Sequence, residues 1–358
     1  MPDAVPDAPL APLTTLGLGG PARQLLEVTD EAELVAVIRD ADAAGEPVLL
    51  LGGGSNVVIA DAGFDGTVVR IATRGVDTRR EGDRVLLDVA AGEPWDALVA
   101  HAVGERLAGI ECLAGIPGLA GATPIQNVGA YGQEVAQTIT SVRVLDREDG
   151  EVGDLPAAAC GFRYRHSAFK GHDRYVVLGV TYALVPDAAL AQPIAYAELA
   201  RTLGVQAGER APLAETREAV LGLRRGKGMV LDPADPDTRS AGSFFTNPIL
   251  DADAFAALTA RVHERLGAEV RPPGFPEADG RTKTSAAWLI DRAGFGPGTR
   301  RGQVAQSGKH ALALVNLGGA QTADLVGFAR EIADGVQEAF GVALVPEPVF
   351  VGHRWDSA

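Results

Sequence analysis

The sequence predicts a mixed helix-and-strand protein of two or three domains that lies outside the Rossmann class. Three observations carry this. A length of 358 residues gives ample chain for more than one buried core. Short apolar runs of strand character alternate with amphipathic stretches of helical period. The run Leu49-Leu-Leu-Gly-Gly-Gly-Ser-Asn-Val-Val-Ile-Ala-Asp61 sets three contiguous glycines between two apolar runs. Residues without a Cβ let backbone N–H groups turn inward and approach an anion closely. A Rossmann dinucleotide site needs G-x-G-x-x-G and a helix starting at the turn, whereas Val57-Val58-Ile59 is short and β-branched. The loop therefore reads as a phosphate cradle between two strands, or as a tight turn between buried strands.

The elements follow in order. Residues 1–12, rich in Pro, Ala and Asp without a basic segment, read as a disordered leader rather than a signal peptide. Asp30 caps a helix with Glu33 three residues on and an apolar face of Leu34, Val37, Ile38 and Ala41. Strands are expected at Pro47–Leu51, Thr67–Ile71 and Val85–Val89. A helix starting near Pro94 should bury Trp95, Leu98, Val99 and Ala102 and stop near Gly109. The segment 114–132 holds five glycines and two prolines, too many for a regular element, yet is too apolar for a solvated linker. It should lie against something flat, such as a cofactor. Strands return at Ser141–Leu145 and Tyr175–Leu184, and Pro233-Ala-Asp-Pro236 reads as a linker. Beyond it, helices are expected over Asp251–Leu266 and Thr322–Phe340, with a short one capped by Ser285, carrying Trp288 and Leu289 and ended by Gly294. Strands are expected at His310–Asn316 and Val342–Val345. No internal repeat or heptad run occurs.

Composition narrows the function. A net charge of −15 argues against nonspecific binding to nucleic acid or an anionic membrane, though it permits a local basic pocket. No apolar run reaches the length of a membrane span. Cys112 and Cys160 lack CxxC spacing and the six histidines are scattered, so a reduced cytoplasm is expected and a metal site is not.

Four further segments could carry chemistry. Gly161-Phe-Arg-Tyr-Arg-His-Ser-Ala-Phe-Lys170 gathers Arg163, Arg165, His166 and Lys170 around aromatic rings, as an anion site or as a surface strand of alternating charge. Arg224-Arg-Gly-Lys227 either binds an anion or complements a helix C-terminus. Arg239-Ser-Ala-Gly-Ser-Phe-Phe-Thr-Asn-Pro248 would present the Ser243 hydroxyl among small residues with Phe244 and Phe245 as a wall; it is not a G-x-S-x-G elbow. Val345-Pro-Glu-Pro-Val-Phe350 places Glu347 between prolines in an apolar strand, as an exposed edge residue or a fixed acid.

Taken together, Gly52–Asn56, Ile116-Pro117-Gly118 through Gln126-Asn127 to Tyr131-Gly132, Tyr164-Arg165 with Ser167, Gly242-Ser243-Phe244-Phe245 with Asn247-Pro248, and Pro346-Glu347 resemble the UDP-N-acetylenolpyruvoylglucosamine reductase family. The resemblance runs from about Thr14 to Phe350. It implies an α+β fold: a two-part FAD-binding module of the PCMH, or vanillyl-alcohol-oxidase, type, plus a C-terminal α+β substrate-binding domain. The implied division is FAD subdomain 1 over 13–75, rejoined by 346–358, subdomain 2 over 76–228 and the substrate domain over 229–345.

The resemblance also implies the reaction, reduction of UDP-N-acetylglucosamine enolpyruvate to UDP-N-acetylmuramate for peptidoglycan synthesis, with NADPH as hydride donor. FAD is expected to be non-covalent, because the glycine loop has no histidine. Its implied ligands are Gly52, Gly53, Gly54, Ser55, Asn56, Ile116, Pro117, Gly121, Thr123, Gln126, Asn127, Gly129 and Gly132. Arg165 and Glu347 match the catalytic arginine and glutamate, and Ser243 the proton donor. Attack on the double bond builds an enolate, which cationic and acidic donors must stabilise. For that task Glu347 should be protonated or share a proton. Tyr164, Tyr196, Arg224, Lys227 and Asn247 match substrate-binding positions, suited to a diphosphate. A cytoplasmic monomer without nucleic-acid or membrane partners is expected. The competing readings are another FAD oxidoreductase of the superfamily, acting on an alcohol or sugar, and a non-catalytic flavin-binding module.

Overall fold

The glycine loop lies where the chain leaves one folding unit for another. In the computed structural model, which describes residues 3–355, one unit comprises the residues up to Ala8, Ala22–Gly54 and Phe64–Val230. The other comprises Pro9–Pro21, Ser55–Gly63 and the residues from Leu231 onward.

The first unit holds two sheets. Strands β1 (Val5–Pro9), β2 (Pro21–Val28), β3 (Val48–Leu51) and β5 (Phe64–Ile71) form a sheet in the order β1-β2-β5-β3. β2 and β3 both run parallel to β5, with Leu26 and Leu50 opposite Val69. β2 and β3, which flank β5 and run in the same direction, need a crossover between them, and helix α1 (Glu31–Ala44) supplies it. The Asp30 carboxylate accepts from the Glu33 N–H at 2.9 Å, and Gly45 ends the helix at φ 65°. The α1 face of Leu34, Val37 and Ile38 shares a core with Leu26, Val28 and Val69.

The second sheet is antiparallel. It is built from β6 (Val76–Glu81), β7 (Arg84–Ala90), β10 (Ile139–Asp146), β11 (Val152–Pro156) and β12 (Tyr175–Leu184) in the order β11-β10-β12-β7-β6. Leu87, Val89, Val142, Val180 and Tyr182 pack there against helix α2 (Trp95–Gly104). Helices α3 (Ala197–Leu203) and α4 (Leu213–Gly226) complete the unit, and the hairpin of β8 (Gly129–Ala130) and β9 (Gln133–Glu134) closes the end of the glycine-rich segment.

In the second unit β4 (Val57–Ile59) pairs in parallel with β20 (Val349–Val351), Val57 opposite Val349. An antiparallel sheet runs β13 (Ser240–Ser243), β19 (Ala313–Asn316), β18 (Val304–Gln306), β17 (Arg300–Arg301). A smaller one joins β14 (Ile249–Leu250), β16 (Thr282–Lys283) and β15 (Phe275–Pro276). Helices α5 (Ala252–Leu266), α6 (Ala286–Arg292) and α7 (Thr322–Phe340) pack over Phe244, Val304 and Leu314. Asp251 and Ser285 cap α5 and α6 through the N–H groups of Ala254 and Trp288.

Several expectations are corrected. Residues 5–9 of the supposed leader form β1, because Ala8 and Leu10 bury their apolar side chains against the fold. The α2 helix stops at Gly104 rather than near Gly109, since Ala108 exchanges both backbone hydrogen bonds with Val185, each at 2.9 Å. The expected strand His310–Asn316 begins only at Ala313: the Ser307 hydroxyl oxygen accepts from the N–H groups of Lys309 and His310 and turns the chain there. Val342–Val345 is no strand, for Pro346 and Pro348 remove donors from a ladder, and pairing starts at Val349. The Pro233–Pro236 run, by contrast, lies just past the boundary between the units at Val230 and Leu231, as a linker there would, and Asp235 in it accepts from the Asp237 N–H and pairs with Lys309 at 2.6 Å. Finally, residues 13–21 and 346–355 group with the second unit, the former because Leu16 and Leu18 enter its core and Thr15 donates to the Ser240 carbonyl at 2.6 Å, the latter because β20 pairs with β4, so the block 13–75 divides between the units.

Candidate active site

The glycine loop joins β3 to β4, as its flanking runs require. A Cβ on Gly53 would lie 2.8 Å from the Gly118 Cα, so two main chains meet where no side chain fits. Gly54 sits at φ 60°, in the left-handed region. Within the first unit, Gly52–Gly54 and the start of the 114–132 segment thus form one backbone-walled cradle. Close main-chain approach without side chains is the kind of wall that can face a diphosphate-bearing cofactor.

The rest of the segment is fixed from behind. Gly121 has no room for a Cβ, which would come within 2.5 Å of Ala91 Cβ. Thr123, 3% exposed, donates to the Ala120 carbonyl and meets the Tyr182 hydroxyl at 2.7 Å. Asn127, 1% exposed at φ 46°, donates to Glu134 Oε2 and the Arg163 carbonyl and accepts from the Ala136 N–H. These two side chains are engaged with protein and so hold the segment's shape. Ile116, Pro117 and Gln126 are half-buried along it.

Arg165 is carried by a turn, which replaces the surface-strand alternative: Arg163 and His166 exchange backbone hydrogen bonds at 3.0 and 3.1 Å. The Ser167 hydroxyl donates to the Ile125 carbonyl at 2.6 Å and pins this turn to the glycine-rich segment. Arg165 itself, at φ 51°, donates from Nη2 to the Gly129 carbonyl at 2.8 Å and lies 5.3 Å from the Tyr164 ring centre. Gly129 is required there, since a Cβ would meet Glu134 Cγ at 2.8 Å and Arg165 Nη1 at 3.2 Å.

At the segment's end the fold gathers Tyr131, Tyr196, Arg224 and Lys227. The Tyr131 and Tyr196 rings meet edge to face at 5.5 Å, and Lys227 Nζ lies 5.7 Å over Tyr131. Gly132 sits at φ 87°, and a Cβ there would come within 2.9 Å of Ala195 Cβ. Arg224, 8% exposed, donates to the Met229 carbonyl at 2.9 Å, while its Nε has no partner among the described residues. Burial pulls its guanidinium down to about 10, against the opposing effect of Tyr131 and Asp96. Burial likewise raises the Tyr131 phenol, with Lys227 and Arg224 acting the other way. Lys227 pairs with Glu198 at 2.6 Å. Sequence reading assigned no role to Tyr131 or Glu198. The only available signals were a tyrosine beside Gly132 and an acid two residues past Tyr196.

In the second unit Ser243 ends β13 opposite Ala313, after Gly242 at φ 73° breaks the register. The Glu347 N–H donates to the Phe244 carbonyl at 2.9 Å and Phe245 bridges Pro346, so Glu347 is held one residue from Ser243. Both side chains are half-buried. Phe244 and Phe245, fully buried, pack on one another at 5.2 Å and on Trp355 at 6.3 and 5.9 Å. Asn56 closes the arrangement: its carbonyl accepts from the Val349 N–H at 2.9 Å and its side chain donates to the Glu347 carbonyl at 3.4 Å. The Asn247 side chain accepts from the Ala286 N–H at 3.0 Å, which ties it to the start of α6. Among the described residues no group of three or more His, Cys, Asp and Glu could hold a metal, and no helix is long and apolar enough to cross a membrane.

Residues 22–155 match an FAD binding domain, and residues 233–351 match the C-terminal domain of UDP-N-acetylenolpyruvoylglucosamine reductase. The cradle and the first match define an FAD-dependent oxidoreductase. The reductase of that name from Thermobifida fusca is 58% identical over 347 residues, covering 97% of each chain. That from Streptomyces coelicolor is 60% identical, covering 97% of this chain and 90% of the relative. The crystal structure of UDP-N-acetylenolpyruvylglucosamine reductase from Thermus caldophilus aligns with TM-score 0.65 at 26% identity, over 98% of this chain and 99% of that one. The chain belongs to the UDP-N-acetylenolpyruvoylglucosamine reductase family.

Proposed function

We propose that this enzyme reduces the enolpyruvyl ether of UDP-N-acetylglucosamine enolpyruvate to UDP-N-acetylmuramate, with NADPH as reductant, as a cytoplasmic monomer in peptidoglycan synthesis. The observation that supports the reading is the Glu347–Phe244 backbone bond, which holds the Glu347 main chain one residue from that of Ser243, beside the buried Phe244–Phe245 pair. Bound FAD would supply the two-electron chemistry linking NADPH to the substrate double bond. Gly52, Gly53, Gly54, Ser55 and Asn56 would hold its diphosphate, and 116–132 would wrap it, through Gly121, Gly129, Gly132 and the backbone shaped by Thr123 and Asn127.

Arg165 would offer its guanidinium to the enolate and adjoining carboxylate, oriented by the Gly129 carbonyl. Glu347, as an acid, would assist at the same charge. Ser243 would deliver a proton to carbon: an alcohol is a weak acid, but an enolate carbon is strongly basic, and placement substitutes for acidity. Tyr164, Tyr196, Arg224, Lys227 and Asn247 would bind the nucleotide sugar.

Anaerobic stopped flow tests the assignment. NADPH should bleach the flavin band, and the enolpyruvyl substrate should restore it. A reduced flavin that the substrate leaves bleached, while an alcohol or sugar substrate is turned over, would overturn it.

A further inference from the structure

Lys227 closes helix α4, and its ammonium is already engaged. Glu198 Oε2 lies 2.6 Å from Nζ, and the Tyr131 ring face lies 5.7 Å away. Burial alone would lower this lysine, but the Glu198 hydrogen bond and Tyr131 outweigh it and hold the ammonium above its ordinary value. Both members of the pair are one-third exposed, so a ligand from solvent can reach them. A half-screened pair of this kind is modest in worth, which makes it exchangeable. A diphosphate brings more negative charge and more acceptor oxygens than one carboxylate. Glu198 lies in the first turn of α3, where the helix dipole favours a negative charge, so a released carboxylate keeps a stable place. It also stands two residues past Tyr196, whose ring is 47% exposed and rests on Tyr131.

We propose that Glu198 is a positioning residue that holds the Lys227 ammonium in the ligand-free enzyme and yields it to the diphosphate of the nucleotide sugar. Binding is then an exchange of anions on one lysine, felt two residues away at Tyr196. This rests on the reading that Lys227 binds the diphosphate.

The test is a double-mutant cycle on FAD-loaded protein, with UDP-N-acetylmuramate titrated calorimetrically into wild type, Glu198→Gln, Lys227→Met and the double variant. Glu198→Gln should tighten binding about 3- to 10-fold, since a competing anion is removed. In the Lys227→Met background the same change should alter Kd by less than about 2-fold, an outcome that a merely structural effect of Glu198 would not produce. Unchanged or weaker binding by Glu198→Gln overturns the exchange, as does equal tightening without Lys227. If Glu198→Gln is not recovered folded, Glu198→Ala is read the same way. Lys227→Met binding as tightly as wild type would instead sink the diphosphate reading, whereas weakened Lys227→Met with a neutral Glu198→Gln sinks the exchange alone.

Discussion

The glycine loop with its 114–132 partner and the Ser243–Glu347 strand pair are built on opposite principles. In the first, function depends on atoms that are missing: Gly53 meets Gly118 and Gly121 meets Ala91 at distances no side chain tolerates. In the second, the proposed function would depend on two side chains being present, each on a backbone held by strand pairing next to packed aromatic rings. A backbone-walled surface binds any group that wants N–H donors, so it defines a cofactor class. A side-chain pair, on the proposed reading, would set which atom receives a proton and so would define a reaction.

Substitutions should separate the two. The largest effect is expected from Ser243→Ala. It should slow flavin reoxidation by the enolpyruvyl substrate about 10²–10⁴-fold while NADPH still bleaches the flavin. Unchanged reoxidation in stopped flow would remove Ser243 from the role. Next in size, Gly53→Val puts atoms against the Gly118 backbone, a strain of about 1–3 kcal/mol. FAD affinity should fall about 5- to 150-fold by equilibrium dialysis. Full FAD retention would mean that the cradle is elsewhere.

The smallest effect concerns the support of the second region. Asp61 accepts from the N–H groups of Thr322 and Ala323 at 2.7 and 2.9 Å and so caps α7 from the loop that follows β4. Asp61→Ala should cost about 1–2 kcal/mol, read as a lower Tm with FAD content unchanged. Loss of FAD in this variant would show that the two regions are not separable in the way described.

Local signals were legible wherever one stretch of chain settles its own structure. Asp30 with Glu33 announced α1, the periodicity of 322–340 matched α7, and the β-branched run at 175–184 matched β12. The glycine loop was equally plain, because contiguous glycine is costly unless backbone must approach something. For the proposed site, the sequence singled out Arg165, Ser243 and Glu347 as residues, but it did not show the turn that carries Arg165 or the register that sets Glu347 beside Phe244. Asn56 and Glu347 are 291 positions apart, and no periodicity reports such a pairing.

The sequence alone therefore determined most of the element types, the contiguous glycine loop and its lack of a histidine, and the acidic balance that argues against nonspecific binding to nucleic acid. These follow from local propensity and composition. Only the tertiary structure decided that residues 9–21 and 55–63 leave the first unit for the second, that the apolar 342–345 run yields its pairing to Val349–Val351, and that Glu198 and Tyr131 share Lys227. Those outcomes depend on which distant backbone groups and charges meet, and that is settled by burial and pairing over the whole fold rather than by any neighbourhood of the chain.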